Sequence, residues 1–173
     1  MLLASLASGL VSMVLLWAPV PAIASTAPAG NQAKPAPAGN QAKPASAART
    51  VELTGGDDMK YSVTSIEAKP GETLRIRLTS KGTLPKIAMA HNVVVLKLSA
   101  KQIDFANAAA MARETDFIPP AMKDQVLAAT TLAGPGETVE VTFKVPAAAG
   151  SYPYLCTFPG HFAAGMRGTI VVK

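Results

Sequence analysis

The sequence is poor in the groups on which most enzymes depend. It has one cysteine, Cys156, and two histidines, His91 and His161, and its only tryptophan is Trp17. A single thiol excludes an internal disulfide framework, and a lone cysteine in an oxidising compartment is a liability unless something else uses it. No acidic residue precedes Glu52, and the first 24 residues carry no charge of either sign. After residue 24 no apolar run is long enough to span a bilayer, which takes about 20 residues. Nucleic acid is not implied as a partner: of the formal charge of +5, Lys34, Lys43 and Arg49 supply three, leaving 13 Lys/Arg against 11 Asp/Glu in the rest of the chain.

What is present divides into three regions. Residues 1–24 hold the apolar run Leu10 to Trp17, then Pro19, Pro21 and Ala22-Ile23-Ala24, a small-x-small pattern that a signal peptidase cuts after. They read as a signal peptide, so the mature protein is expected in the periplasm or another extracytoplasmic space. No Lys or Arg precedes the apolar run, and an uncleaved leader would make it a membrane tether. Ser25 stands where a lipoprotein would need cysteine. Residues 25–49 contain a nine-residue repeat, residues 27–35 and again 36–44, without large apolar side chains. Such a tract cannot bury surface to offset its ordering entropy and is expected to be a disordered spacer or a repeat without a role.

From Val51 onward apolar and polar residues alternate, the mark of half-buried strands. Leu74, Ile76 and Leu78 alternate with Thr73, Arg75, Arg77 and Thr79, and Val139, Val141, Phe143 and Val145 with Thr138, Glu140, Thr142 and Lys144. Lys69-Pro70-Gly71-Glu72, Lys81-Gly82 and Gly134-Pro135-Gly136 supply turns. Further strands are expected at residues 51–54, 61–66, 92–98, 152–156 and 168–172, a total of about seven to eight and an all-β Greek-key sandwich. One helical insertion is expected between Ser99 and Phe117, with Ser99 and Gln102 as a capping box and Pro119-Pro120 as the stop.

The chemistry gathers near the C-terminus. His161 lies five residues after Cys156, Met166 five residues after that, and His91 precedes Cys156 by 65. One thiolate, two imidazoles and a thioether suit an ion that cycles between Cu(I) and Cu(II): three strong bonds and a weak axial donor. Structural zinc prefers four Cys or His ligands, and only three exist. A cysteine nucleophile would want a helix N-terminus and an orienting acid, and neither accompanies Cys156. Multicopper enzymes need further histidines, so no enzymatic activity is expected. Periplasmic copper storage or delivery stays open as the alternative, although Met59, Met89, Met111 and Met122 are scattered rather than clustered.

The stretch Leu84-Pro85-Lys86 through Met89-Ala90-His91-Asn92, the turn Gly134 to Glu137 and the loop Cys156 to Met166 resemble azurin-type cupredoxins, with the auracyanin branch also similar. The resemblance covers residues 50–173 as one cupredoxin domain. It implies a blue copper protein shuttling single electrons, with one type 1 copper held by His91, Cys156, His161 and Met166. It further implies a weak contact from the Ala90 carbonyl, and Asn92 as the residue tying the ligand loops together. Partners would be redox proteins such as a c-type cytochrome, terminal oxidase or reductase. They would meet an apolar patch around Met59, Leu84, Pro85, Met89, Phe158, Pro159 and Phe162, and a monomer is the default. Three departures stand out: no disulfide, no core tryptophan, and a His-to-Met spacing of five where azurin has four, as in auracyanin and plastocyanin. Ser80 also replaces a titrating histidine that azurins often carry beside the site.

Overall fold

A computed structural model describes residues 47–173; the expected signal peptide and the repeat at residues 27–44 lie outside the described residues, and the first strand starts at Arg49, the last residue of the expected spacer. Eight strands form two sheets. The smaller has the order β1-β3-β6 (Arg49–Gly55, Thr73–Ser80, Thr138–Lys144). The larger has the order β2-β8-β7-β4-β5 (Ser65–Ala68, Arg167–Val172, Gly150–Leu155, Val94–Leu96, Val126–Ala129). β1 runs parallel to β3 and β2 to β8, and the remaining pairings are antiparallel. This is the all-β sandwich expected from the strand pattern.

Alternation explains the small sheet. Along β3, Leu74, Ile76, Leu78 and Ser80 are buried and the intervening residues half-exposed. β6 shows the same period, but its apolar residues are only half-buried because β6 is an edge strand with a single neighbour. Leu53, Ile66, Leu74, Ile76, Leu78, Val93, Val95, Tyr152, Tyr154 and Ile170 make the main core, and Cys156 and Met166 belong to the same cluster. Tyr154 fills space beside its partner Gly168 on β8, where a Cβ would collide with the phenol ring. Its hydroxyl donates to the Val63 carbonyl at 2.6 Å.

Three local expectations are corrected, and one strand is added. The second strand is Ser65–Ala68, since Tyr61 makes only an isolated bridge to Gly55. The strand expected at residues 92–98 is limited to Val94–Leu96, where a bulge interrupts its pairing with β5. β5 itself carries no alternation in Val-Leu-Ala-Ala and escaped the sequence pattern. The helix α1 spans only Gln102–Ala110, with Lys101 as its N-cap and no side-chain cap, and it ends well before Pro119-Pro120, which open a 3-10 turn instead of stopping it. Ser99 lies instead in a turn closed by Ala100 N–H to the Lys97 carbonyl at 3.1 Å, so the capping box does not form.

The insertion does pack outside the sandwich. Phe105 and Ala109 of α1 meet Val94, Leu96 and Leu155 in a second apolar cluster, which is why β4 is buried on both faces. Short 3-10 turns at Arg113–Thr115 and Pro120–Gln125 return the chain to β5.

Ile76, wholly buried in the central strand of the small sheet, anchors the main core. Ile76→Ala is expected to lower the unfolding free energy by about 2–5 kcal/mol. Ile103→Ala, on the exposed face of α1, should change it by less than about 0.5 kcal/mol. Urea denaturation of both variants checks the contrast.

Candidate metal centre

The end of β1, the approach to β4, the end of β7 and the start of β8 meet at one pole, and the chemistry-bearing residues stand there. His91 is fixed before β4 by an antiparallel bridge to Ala133, with backbone bonds of 3.0 and 2.7 Å. Cys156 follows the last residue of β7, and Met166 immediately precedes β8.

The ten residues after Cys156 form a closed set of turns. Cys156 N–H donates to the Met166 carbonyl at 3.0 Å, Met166 N–H to His161 at 2.9 Å, Gly165 N–H to Phe162 at 2.9 Å and His161 N–H to Phe158 at 3.1 Å. Gly160 at φ 85 and Gly165 at φ 97 supply the left-handed corners that the turns require. The strand ends, together with these bonds, hold the three side chains in a fixed relation.

His91, Cys156 and His161 each offer one donor atom, all within 4.8 Å of one another, and all three are buried. The two Nδ1 atoms lie 3.2 Å apart and His161 Nδ1 lies 3.4 Å from the Cys156 sulfur. Both rings cannot satisfy that cluster by donating protons to each other. Among the described residues no carboxylate joins this donor group, and lone-pair donors turned inward are what a soft or borderline cation needs. Met166 is fully buried, and its methyl carbon and the His91 ring both lie against Gly55. A Cβ on Gly55 would come within 2.5 Å of the Met166 methyl carbon and 3.3 Å of the His91 ring, so Gly55 gives both side chains their room. The Ala90 carbonyl is 4.0 Å from the Cys156 sulfur. The residues therefore fit a type 1 copper ion.

Asn92 joins the two ligand-bearing segments. Its side-chain amide donates to Thr157 Oγ1 at 2.8 Å and its carbonyl oxygen accepts from Thr157 N–H at 2.9 Å, with all of these groups buried. Of the residues expected at the apolar surface, Leu84, at 45% exposure, Pro85 and Pro159 are exposed, while Met59, Met89, Phe158 and Phe162 are half-buried. Phe158 stands between Phe117 and His161, with ring centroids 5.2 and 4.9 Å away.

Sequence reasoning missed Ile87, 76% exposed beside Leu84, as well as Gly55, Tyr61 and Phe117. Tyr61 donates its hydroxyl to the Asn92 carbonyl. The Gly55-Gly56 pair ending an alternating strand was the available signal for a close approach.

Burial pushes the Cys156 thiol up to about 12, partly offset by the backbone N–H groups of Asn92 and Phe158. Burial, with His91 nearby, brings His161 down to about 4. Burial also lowers His91, against the opposing pull of Asp57 and Asp58. His161 thus stays neutral and ready to ligate in mildly acidic solution, while the thiol gives up its proton on metal binding.

The chain matches the family of copper binding proteins of the plastocyanin/azurin type over residues 47–173. Azurin iso-2 of Methylomonas sp. (strain J) is 40% identical over 125 residues, covering 70% of this chain and 95% of that protein. Auracyanin-B of Chloroflexus aurantiacus is 35% identical over 127 residues, but the match spans 72% of this chain and only 52% of that relative. Among solved structures, reduced auracyanin of Roseiflexus castenholzii superposes with a TM-score of 0.63 at 30% identity, over 72% of this chain and 96% of the other.

Two outcomes follow from this geometry. Asn92→Ala strands the Thr157 N–H and should cost the copper-free protein about 1–3 kcal/mol in chemical denaturation. Between about pH 6.5 and pH 4 an unfolded histidine takes up a proton that native His161 refuses. Stability of the copper-free protein therefore falls as pH drops through that window, and the neutral thiol adds nothing to the slope. Thermal melts across the window check this, and a flat profile would contradict it.

Proposed function

The chain belongs to the plastocyanin/azurin family of copper-binding proteins, and we propose that it is a one-electron carrier holding one copper through His91, Cys156, His161 and Met166. The observation that carries this reading is the buried convergence of two imidazoles and a thiol from segments 65 residues apart. Bound copper supplies the Cu(I)/Cu(II) couple. The chain would hold it through the Cys156 thiolate and the His91 and His161 imidazoles as strong donors and the Met166 thioether as a weak one, with the Ala90 carbonyl 4.0 Å from the Cys156 sulfur. Asn92 orients both ligand segments, and hydrogen bonds of this kind outside the ligands tune a metal site. Held by strand ends and closed turns, the ligands have little freedom to rearrange when the oxidation state changes.

His161 packs against Phe158, and we take Met59, Leu84, Pro85, Met89, Phe158, Pro159 and Phe162 as the apolar docking surface beside it. An apolar surface of this sort suits a brief encounter with a redox protein, such as a c-type cytochrome, a terminal oxidase or a reductase. We place the mature protein outside the cytoplasm on the strength of residues 1–24, as a monomer, and assign it no catalysed bond change. Copper storage or delivery fits less well, because exchange favours exposed ligands and Cys156, His91 and Met166 have no exposed surface.

Copper(II) added to the purified protein should produce an intense visible thiolate-to-copper band that bleaches on reduction. Cys156→Ser should lack it, while Met166→Leu should keep the colour at a shifted reduction potential. A wild-type protein that binds copper without colour would sink the electron-carrier reading.

A further inference from the structure

The segment between Gly55 and Tyr61 crosses the site and touches both ligand loops. Gly55 packs against Met166 and His91, and Tyr61 donates its hydroxyl to the Asn92 carbonyl. Between them the Lys60 ammonium donates to the Ala164 carbonyl, 104 residues away in sequence and within the bulge that separates His161 from Met166. Met59, just before Lys60, is held left-handed at φ 54. That conformation costs a non-glycine residue on the order of 1–3 kcal/mol and persists where the surroundings enforce it. Here it closes a turn, with Met59 N–H on the Gly56 carbonyl at 2.9 Å, after which Lys60 reaches one ligand loop and Tyr61 the other.

The contact is specific in two ways. The carbonyls of Phe158, Gly160, His161, Phe162 and Met166 all accept from backbone N–H groups of the same loop, whereas Ala164 sends its carbonyl outward to Lys60. A Cβ on Gly165 would lie 2.7 Å from Lys60 Nζ, so the ammonium sits directly over the last residue before Met166. Among the described residues no carboxylate lies within ion-pair distance of Lys60.

We propose that Lys60 is a positioning residue for Met166: by capping the Ala164 carbonyl it fixes the Ala163-Ala164-Gly165 bulge, and it leaves a positive charge beside the axial arm of the site. The second half rests on the copper reading above. A cation there favours the less positive oxidation state, Cu(I). The attraction is partly screened because Lys60 is exposed, so the effect is a shift of about two- to tenfold in the reduction equilibrium.

Three substitutions separate the hydrogen bond from the charge. Lys60→Arg keeps both, Lys60→Gln keeps a donor without the charge, and Lys60→Met removes both. Amide hydrogen exchange at Gly165 and Met166 is measured on the copper-free proteins, and the reduction potential on the copper-loaded ones. Lys60→Met should exchange several-fold faster at both amides and favour Cu(II) by about two- to tenfold. Lys60→Gln should keep the protection but show the redox shift, and Lys60→Arg should match wild type in both. The proposal is overturned if Lys60→Met retains native exchange and potential, or if Lys60→Arg departs from wild type as far as Lys60→Met does. The copper-free exchange data test the clamp even if wild type failed to form a coloured copper site, so the two failures are distinguishable.

Discussion

The paired hydrogen bonds between Asn92 and Thr157 are the constraint on which the site depends. They lock the segment carrying His91 to the residue after Cys156. Being buried, they face little competition from water, and neither partner can leave without stranding a polar group. With that tie in place, the position of His91 relative to the thiol follows from two strand ends rather than from a metal. The arrangement of the donor side chains is then tied to the sandwich itself.

Site and core are correspondingly hard to separate. Cys156 and Met166 pack in the same cluster as Ile76, Leu78, Val95 and Tyr154, so a change in core packing is felt at the ligands. Disulfide and tryptophan are both absent from this domain, and interdigitated aliphatic residues with Tyr61 and Tyr154, whose rings lie 5.5 Å apart, do the holding. The outer side is supported too: α1 covers β4 and β7 from outside, and Phe117 braces the aromatic step from Phe158 to His161.

Much of this was legible in the sequence where one local rule dominated. Strict alternation gave β3 and β6, and the order His91, Cys156, His161, Met166 pointed to side chains of which the fold brings the first three within 4.8 Å, because residue types this rare in the chain cannot hide in a pattern. The resemblance carried Asn92, whose role depends on a contact across 65 residues that no local rule encodes. β5 was illegible because Val-Leu-Ala-Ala has no polar partner in its alternation. The start of α1 was misread because a turn at residues 97–100 outcompeted the capping box. Gly55, Lys60 and Phe117 depend on which loops the fold brings to one pole, and their local sequence does not announce it.

The central claim is that the protein imposes one sulfur and two imidazole nitrogens on copper in both oxidation states. X-ray absorption at the copper edge, on the oxidised and the reduced protein, tests it most directly. The account predicts the same short sulfur and two nitrogens in each state, with little change in distance. Coordination without sulfur, or a change in ligand number on reduction, would contradict it.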